Sequence, residues 1–267
     1  MRSLSNQEDA EDILHDALAF LGGEPVIDND TVSYGEIVLT VAAKAGKANT
    51  LLADHLFSPS LLLAERIERG LVALSRCPHT ECISLPAVLE LGAGCALPSL
   101  LSATLLDPPS LVLATDYPDA GILANLEANV QRNTPLVAPG CVLAARGYEW
   151  GTDVTPLLEL APGGFDVLIL SDLLHFHTSH GALLASISSL LSRTPTARAY
   201  VAAGTYTHVN VCADFVRDAG AAGLVLEEGT VEDAWLGTLA VGGLDPEGLA
   251  VRKRMCRWWV GRWADSA

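Results

Sequence analysis

The stretch SDLLHFHTSH, residues 171–180, places His175, His177 and His180 within six positions, and Asp172 stands just ahead of them. Imidazoles this close can ligate a metal, work as acid and base beside a reactive amine, or solvate a loop. A metal needs donors converging from a rigid frame, and no neighbouring acid or cysteine pattern completes a familiar set, so no metal is expected. Upstream, VLELGAGCALPSL (88–100) runs from an apolar strand through Glu90, Gly92 and Gly94 into a helix. Glycines at such a turn let the backbone bend sharply and approach a ligand closely. Leu97 occupies the third glycine position of a dinucleotide fingerprint, so G-x-G stands here without its third member. A second acid, Asp116 of ATDYPD, follows Glu90 by 26 residues, at the end of the next strand. From there it can accept hydrogen bonds from the ribose hydroxyls of an adenosyl ligand.

Such groups converge only if strand ends present them together. From residue 87 the pattern alternates regularly. AVLELG, SLVLATD, GCVLAARG, FDVLILSDLL and RAYVAAGTY read as strands; PSLLSATLL, DAGILANLEANVQRN, HGALLASISSLLSR and NVCADFVRDAGAAG read as helices. Strands apolar on both faces, alternating with helices, predict a parallel sheet covered on both sides. GLVLEEGTV and RMCRWWVGRW have no long helix between them and predict an antiparallel pair closing the sheet. Before this region, residues 5–21 have helical spacing, EPVIDND reads as a turn, YGEIVLTV (34–41) reads as a strand, and SPSLLLAERIERGL (58–71) reads as a helix opened by Ser58 and Pro59. The expected organisation is an N-terminal extension over 1–50 and one α/β domain over 51–267.

The order of LELGAG-x-x-LPS, TDYPD, NLEANV, GYEWG (147–151), DVLILSDLL and a Trp- and Arg-rich final strand resembles methyltransferase family 16, the seven-strand lysine-methyltransferase group. Within it the chain is most similar to the fungal nicotinamide-N-methyltransferase-like branch, which includes the enzyme that methylates the N-terminus and a lysine of translation elongation factor 1A. The resemblance covers about residues 50–263. It implies a Rossmann-like seven-stranded, mostly parallel sheet with an antiparallel closing strand, and S-adenosyl-L-methionine as cofactor, with S-adenosyl-L-homocysteine as product. Carried over by position, it implies that Glu90, Gly92 and Gly94 line the methionine and ribose end, Asp116 and Tyr117 the ribose, and Trp150 the adenine. Phe57 stands where the family usually has Trp, and Ser171 joins the cofactor side. Asp172 is expected to orient an acceptor amine, with His175 or His177 taking its proton. His175 stands where many relatives have Tyr.

Acidic residues number 32 against 16 basic ones, a net charge of −16. That field opposes nucleic acid and favours a basic protein partner or a small amine; the resemblance implies a translation factor as such a partner. The cluster RKRMCRWWVGRW could suggest stacking on bases, but Trp258 and Trp259 point to opposite faces of a strand. The six cysteines form no CxxC and suggest neither zinc nor disulfides. The first residues do not read as a secretory leader, and Pro86, Glu90 and Pro98 interrupt the most apolar segment. A reduced, cytoplasmic monomer is the expectation. Three activities remain open: a protein amine N-methyltransferase, a small-molecule amine N-methyltransferase, and a non-catalytic domain of the same fold.

Overall fold

A computed structural model describes residues 31–43, 46–47, 51–53, 55–72, 74 and 85–264. The helix expected over 5–21 and the turn at 24–30 lie outside the described residues. Nine strands are described: β1 (Thr31–Tyr34), β2 (Ile37–Thr40), β3 (Ala87–Leu91), β4 (Leu111–Asp116), β5 (Val142–Gly147), β6 (Val167–Ser171), β7 (Arg198–Gly204), β8 (Leu224–Glu228) and β9 (Cys256–Trp263). Six helices accompany them: α1 (Ser58–Glu68), α2 (Leu97–Ala103), α3 (Ala120–Asn133), α4 (His180–Leu190), α5 (Val209–Ala221) and α6 (Pro246–Arg254), with a single helical turn at Thr155–Leu158.

The last seven strands form one sheet in the order β5-β4-β3-β6-β7-β9-β8. The pairs from β5 to β7 are parallel, whereas β9 runs antiparallel to both neighbours. The closing strand therefore lies inside the sheet, with β8 at the edge. Alternate residues of β3 feed different cores. Val88 packs with α1, α2 and Trp258, whereas Leu89 and Leu91 pack with α4, α5 and Trp259. Both faces are dry, which is why the central strands carry almost no polar residues. Strand order reverses between β4 and β6 on either side of β3, and the crevice beyond that point is where such sheets take ligands.

Two local readings change. YGEIVLTV is not one strand: Tyr34 pairs with Ile37, so Gly35 and Glu36 form a two-residue hairpin turn. Gly35 has φ +57°, the left-handed conformation such a turn needs. The other change is α6, unforeseen in the sequence reading. Asp245 caps it by accepting from the Gly248 N–H at 2.7 Å, and Pro246 occupies its first turn. Arg252, Lys253 and Arg254 thus belong to a helix and not to the final strand. Lys253 is fully buried, with Nζ 2.8 Å from a Glu65 oxygen and 2.9 Å from the Ala234 carbonyl, tying α6 to α1.

The hairpin is fastened by side chains. Asn129 accepts from the Thr40 N–H at 2.8 Å and donates to its carbonyl at 2.7 Å. Asn133 does the same for Val38, at 2.9 and 2.8 Å. Four residues of helix rise about 6 Å and two residues of strand about 6.7 Å, so amides at i and i+4 match alternate residues of β2. Asparagine is a weak helix former; its repetition at 125, 129 and 133 is explained by this pairing. Among the described residues no helix is long and apolar enough to cross a membrane.

Replacing Asn129, which is wholly buried, by Ala leaves the Thr40 N–H without its acceptor. Stability should fall by about 1–3 kcal/mol in denaturant unfolding, and the Thr40 amide should exchange faster than those of β3.

Candidate active site

A cavity of about 300 Å³ opens beyond the C-terminal ends of β3, β4 and β6. Its floor is the glycine turn after β3. Gly92 and Gly94 have φ +61° and +56°, a region that side chains with a Cβ adopt only under strain. A Cβ at Gly92 would lie 2.6 Å from Leu173 Cδ2 and 3.2 Å from Trp150 Cζ2, so packing also demands glycine there. A Cβ at Gly94 would meet nothing within 4 Å and would project into open space. Gly92 is closed by protein, while Gly94 leaves room for a ligand.

Three acids sit at this rim of the sheet, each deprived of water and each given a backbone N–H. Asp116 accepts from Gly94 at 2.6 Å and from Tyr117 at 2.7 Å. Burial nevertheless raises its pKa. Its carboxylate lines the cavity with acceptor capacity to spare. Asp172 follows β6 in a left-handed conformation, φ +64°. Its Oδ1 accepts from the Gly204 N–H at 3.1 Å, and its Oδ2 accepts from the Tyr206 hydroxyl. Burial pushes the Asp172 carboxyl up to about 6, against the pull of those hydrogen bonds. Glu90 behaves differently. It turns away from the cavity and accepts from the Ser99 N–H at 3.0 Å and the Ser99 hydroxyl at 2.5 Å, at the start of α2. Burial raises its pKa to about 8. The place expected for it, lining the cofactor's methionine and ribose end, is not where its side chain lies.

The GYEWG loop is pinned from behind. Tyr148 shares a 2.8 Å hydrogen bond with Ser186 of α4, and the Gly151 N–H donates to the same Ser186 oxygen at 2.9 Å. This holds the Trp150 indole against Gly92 and edge-on to Phe176, with ring centres 5.8 Å apart. A flat apolar wall results, suited to a purine. Phe57, Tyr117 and Ser171 also line the cavity, and the Ser171 hydroxyl is buried without a partner. The segment 51–57, of which the sequence reading singled out Phe57, supplies Leu51, Leu52 and Leu56 as further apolar lining.

The three histidines part company. His175 lines the cavity, and neither ring nitrogen has a hydrogen-bond partner. Burial lowers its pKa to about 4, so the ring is neutral at pH 7. His177 is exposed on the turn His177–Ser179, outside the cavity lining. His180 is buried, bonds the Leu174 carbonyl through Nε2 at 2.8 Å and lies edge-on to Phe215. Among the described residues no His, Cys, Asp or Glu cluster is placed to hold a metal. Sequence reasoning missed Tyr206, whose place just past the end of β7 was the available signal.

Among the described residues, the cavity lining contains Asp116, Glu149 and Asp172 and no Lys or Arg. It is therefore a site for positive charge. Gly92→Ala should lower the melting temperature by several degrees, because strain in the left-handed region and the Leu173 contact add; thermal unfolding followed by circular dichroism checks this.

The model of the lysine methyltransferase family matches residues 42–208. A Schizosaccharomyces pombe protein N-terminal and lysine N-methyltransferase is 34% identical over 158 residues, covering 58% of this chain and 56% of that protein. Its Eremothecium gossypii counterpart is 37% identical over 171 residues, covering 60% and 62%. The Neurospora crassa counterpart is 32% identical over 228 residues, covering 78% and 77%. The chain thus spans less than two thirds of the length of the first two relatives. With a family match over more than half of its length, this chain belongs to the lysine methyltransferase family.

Proposed function

We propose that the chain is an S-adenosylmethionine-dependent N-methyltransferase acting on an N-terminal or lysine amine of a basic protein, such as a translation factor. One observation carries this reading: among the described residues, the cavity at the strand-order reversal is lined by carboxylates and by no Lys or Arg. Both the sulfonium and an ammonium acceptor are cations, and a desolvated anionic pocket favours both. The net charge of −16 extends the same preference to a basic protein. The relatives' names, protein N-terminal and lysine N-methyltransferase, support the same acceptor class.

The residues present fit the cofactor. Asp116 would take the ribose hydroxyls, Trp150 the adenine, and the open side of Gly94 the approach of the ligand to the backbone. When bound, the cofactor supplies an electrophilic methyl carbon: a nitrogen–carbon bond forms as the sulfur–carbon bond breaks. The acceptor reacts as the free amine, its ammonium proton lost to solvent beforehand, and the protein's part is to hold the nitrogen lone pair in line. Asp172, ionised at pH 7, holds and orients the amine. His175 is neutral and too weak a base to take a proton from an ammonium whose reference pKa is about 7.7 for an α-amine or about 10.4 for lysine. It serves instead as a hydrogen-bonding partner for the acceptor, together with the Ser171 hydroxyl. His177 has no part in this reading.

Incubation with tritiated S-adenosylmethionine and a fungal lysate should label a protein band. Label confined to small molecules overturns the protein acceptor, and absence of cofactor binding in calorimetry overturns the activity. Asp172→Asn should keep cofactor affinity and lose about a hundredfold in turnover. The rate should fall below about pH 6 as Asp172 takes a proton. Stability moves the opposite way: a carboxyl raised in the folded state favours folding when protonated, so its penalty grows as pH rises from about 4 to 6.

A further inference from the structure

We infer that Tyr206 is a positioning residue for Asp172, its phenol hydroxyl holding the carboxylate in the orientation presented to the cavity. This rests on the reading of Asp172 as the group that holds the acceptor amine.

Asp172 is a non-glycine residue in the left-handed region, a conformation that persists only where the surroundings over-determine it. Three contacts do so. The Asp172 N–H donates to the Ala202 carbonyl at 2.8 Å, the Gly204 N–H donates to Oδ1 at 3.1 Å, and the Tyr206 hydroxyl donates to Oδ2. All three come from β7 and the turn after it, so this turn sets the acid on the neighbouring strand. Only the third is a side-chain contact, removable without touching the backbone.

Gly204 encodes the position of that ring. A Cβ at Gly204 would collide with Tyr206 Cε1, Cζ and Cδ1, so the ring lies directly over bare backbone. Tyr206 as a whole is 42% exposed, whereas Asp172 beneath it is 4% exposed. Tyr206 thus closes Asp172 off from solvent. It does not line the cavity itself, though its ring centre is 6.4 Å from that of Phe57, which does. Its influence on an acceptor must pass through Asp172.

The other groups facing this pair do not compete for the carboxylate. Cys256 at the start of β9 and Cys212 on α5 are thiols that burial raises, Cys256 to about 12, so both stay neutral. His175 is neutral. Arg252 of α6 acts on Tyr206, and its guanidinium bonds the Leu56 carbonyl at 2.6 Å and the Ser58 hydroxyl at 3.1 Å. Burial places the Tyr206 hydroxyl well above its ordinary pKa, so it remains a donor throughout the working range.

The test is Tyr206→Phe, with Gly204→Ala as a second variant that displaces the ring while keeping the hydroxyl in the chain. The Asp172 carboxyl carbon, labelled with carbon-13 and assigned by its loss in Asp172→Asn, should titrate near 6 in the parent protein and about one unit higher in both variants. Turnover at pH 7 should fall about twofold in Tyr206→Phe, since a midpoint moved from about 6 to about one unit higher halves the ionised fraction of Asp172, with affinity for S-adenosylmethionine unchanged. In the Asp172→Asn background the same substitution should add almost nothing, since the two residues act as one unit. An unmoved titration midpoint, even with a lowered melting temperature, overturns the inference, as does an equal loss of turnover in the Asp172→Asn background. If the parent protein transfers no methyl group, the functional reading fails, while the titration still decides whether Tyr206 governs Asp172.

Discussion

A sheet dry on both faces forces the carboxylates at its C-terminal rim to find donors in the protein. The site depends on this constraint. Glu90, Asp116 and Asp172 are each less than a tenth exposed, and an ionised carboxylate left without donors there is expensive. Each is answered by a backbone N–H: Ser99 for Glu90, Gly94 for Asp116 and Gly204 for Asp172. For Asp116 and Asp172 the donor comes from the loop of an adjacent strand, so the register of the sheet sets the geometry of the acids. The same desolvation raises their pKa values and makes the cavity hospitable to a cation.

The wall over this rim is set by quieter means. Asparagines on α3 pair with the backbone of β2 as a further strand would. That helix begins just after Asp116, so the hairpin before the cavity segment 51–57 and the cavity acid answer to the same element. On the far side, the buried Lys253–Glu65 pair joins α6 to α1, and Arg252 ties α6 to Leu56 and Ser58. Glu65 also accepts from the Leu236 N–H, so the loop before α6 is held by the same charge pair. Removing one partner of such a pair strands the other without water, which is why these groups, remote from the cavity, belong to its architecture.

Much of the fold was legible because its signals are local. Apolar runs bounded by Gly, Pro and Asp marked β3 to β7 within three residues, and Pro59 and Pro98 marked helix starts. Trp258 and Trp259 could be sent to opposite faces from the period of a strand alone, and they lie in different cores. The hairpin turn at Gly35 and the helix capped by Asp245 were also written locally, but a short strand pattern and a run of basic residues masked them. The place of β9 inside the sheet was not legible, since antiparallel pairing with β8 fits an edge or an interior position equally well.

The sequence by itself determined the glycine turn, the second acid after it, and Asp172 at the end of the fourth strand of the domain, because each is a short-range pattern tied to a strand terminus. Only the tertiary structure decided what the side chains do. Three histidines within six residues went to three environments, His175 into the cavity, His177 to solvent and His180 under Phe215, because the tight turn His177–Ser179 and the start of α4 at His180 separate their directions. Glu90 faced α2 instead of the ligand space, and Tyr206, 34 residues beyond Asp172, came to rest against it. Proximity across parallel strands depends on register and crossover, and neither is written in the spacing of residues along the chain.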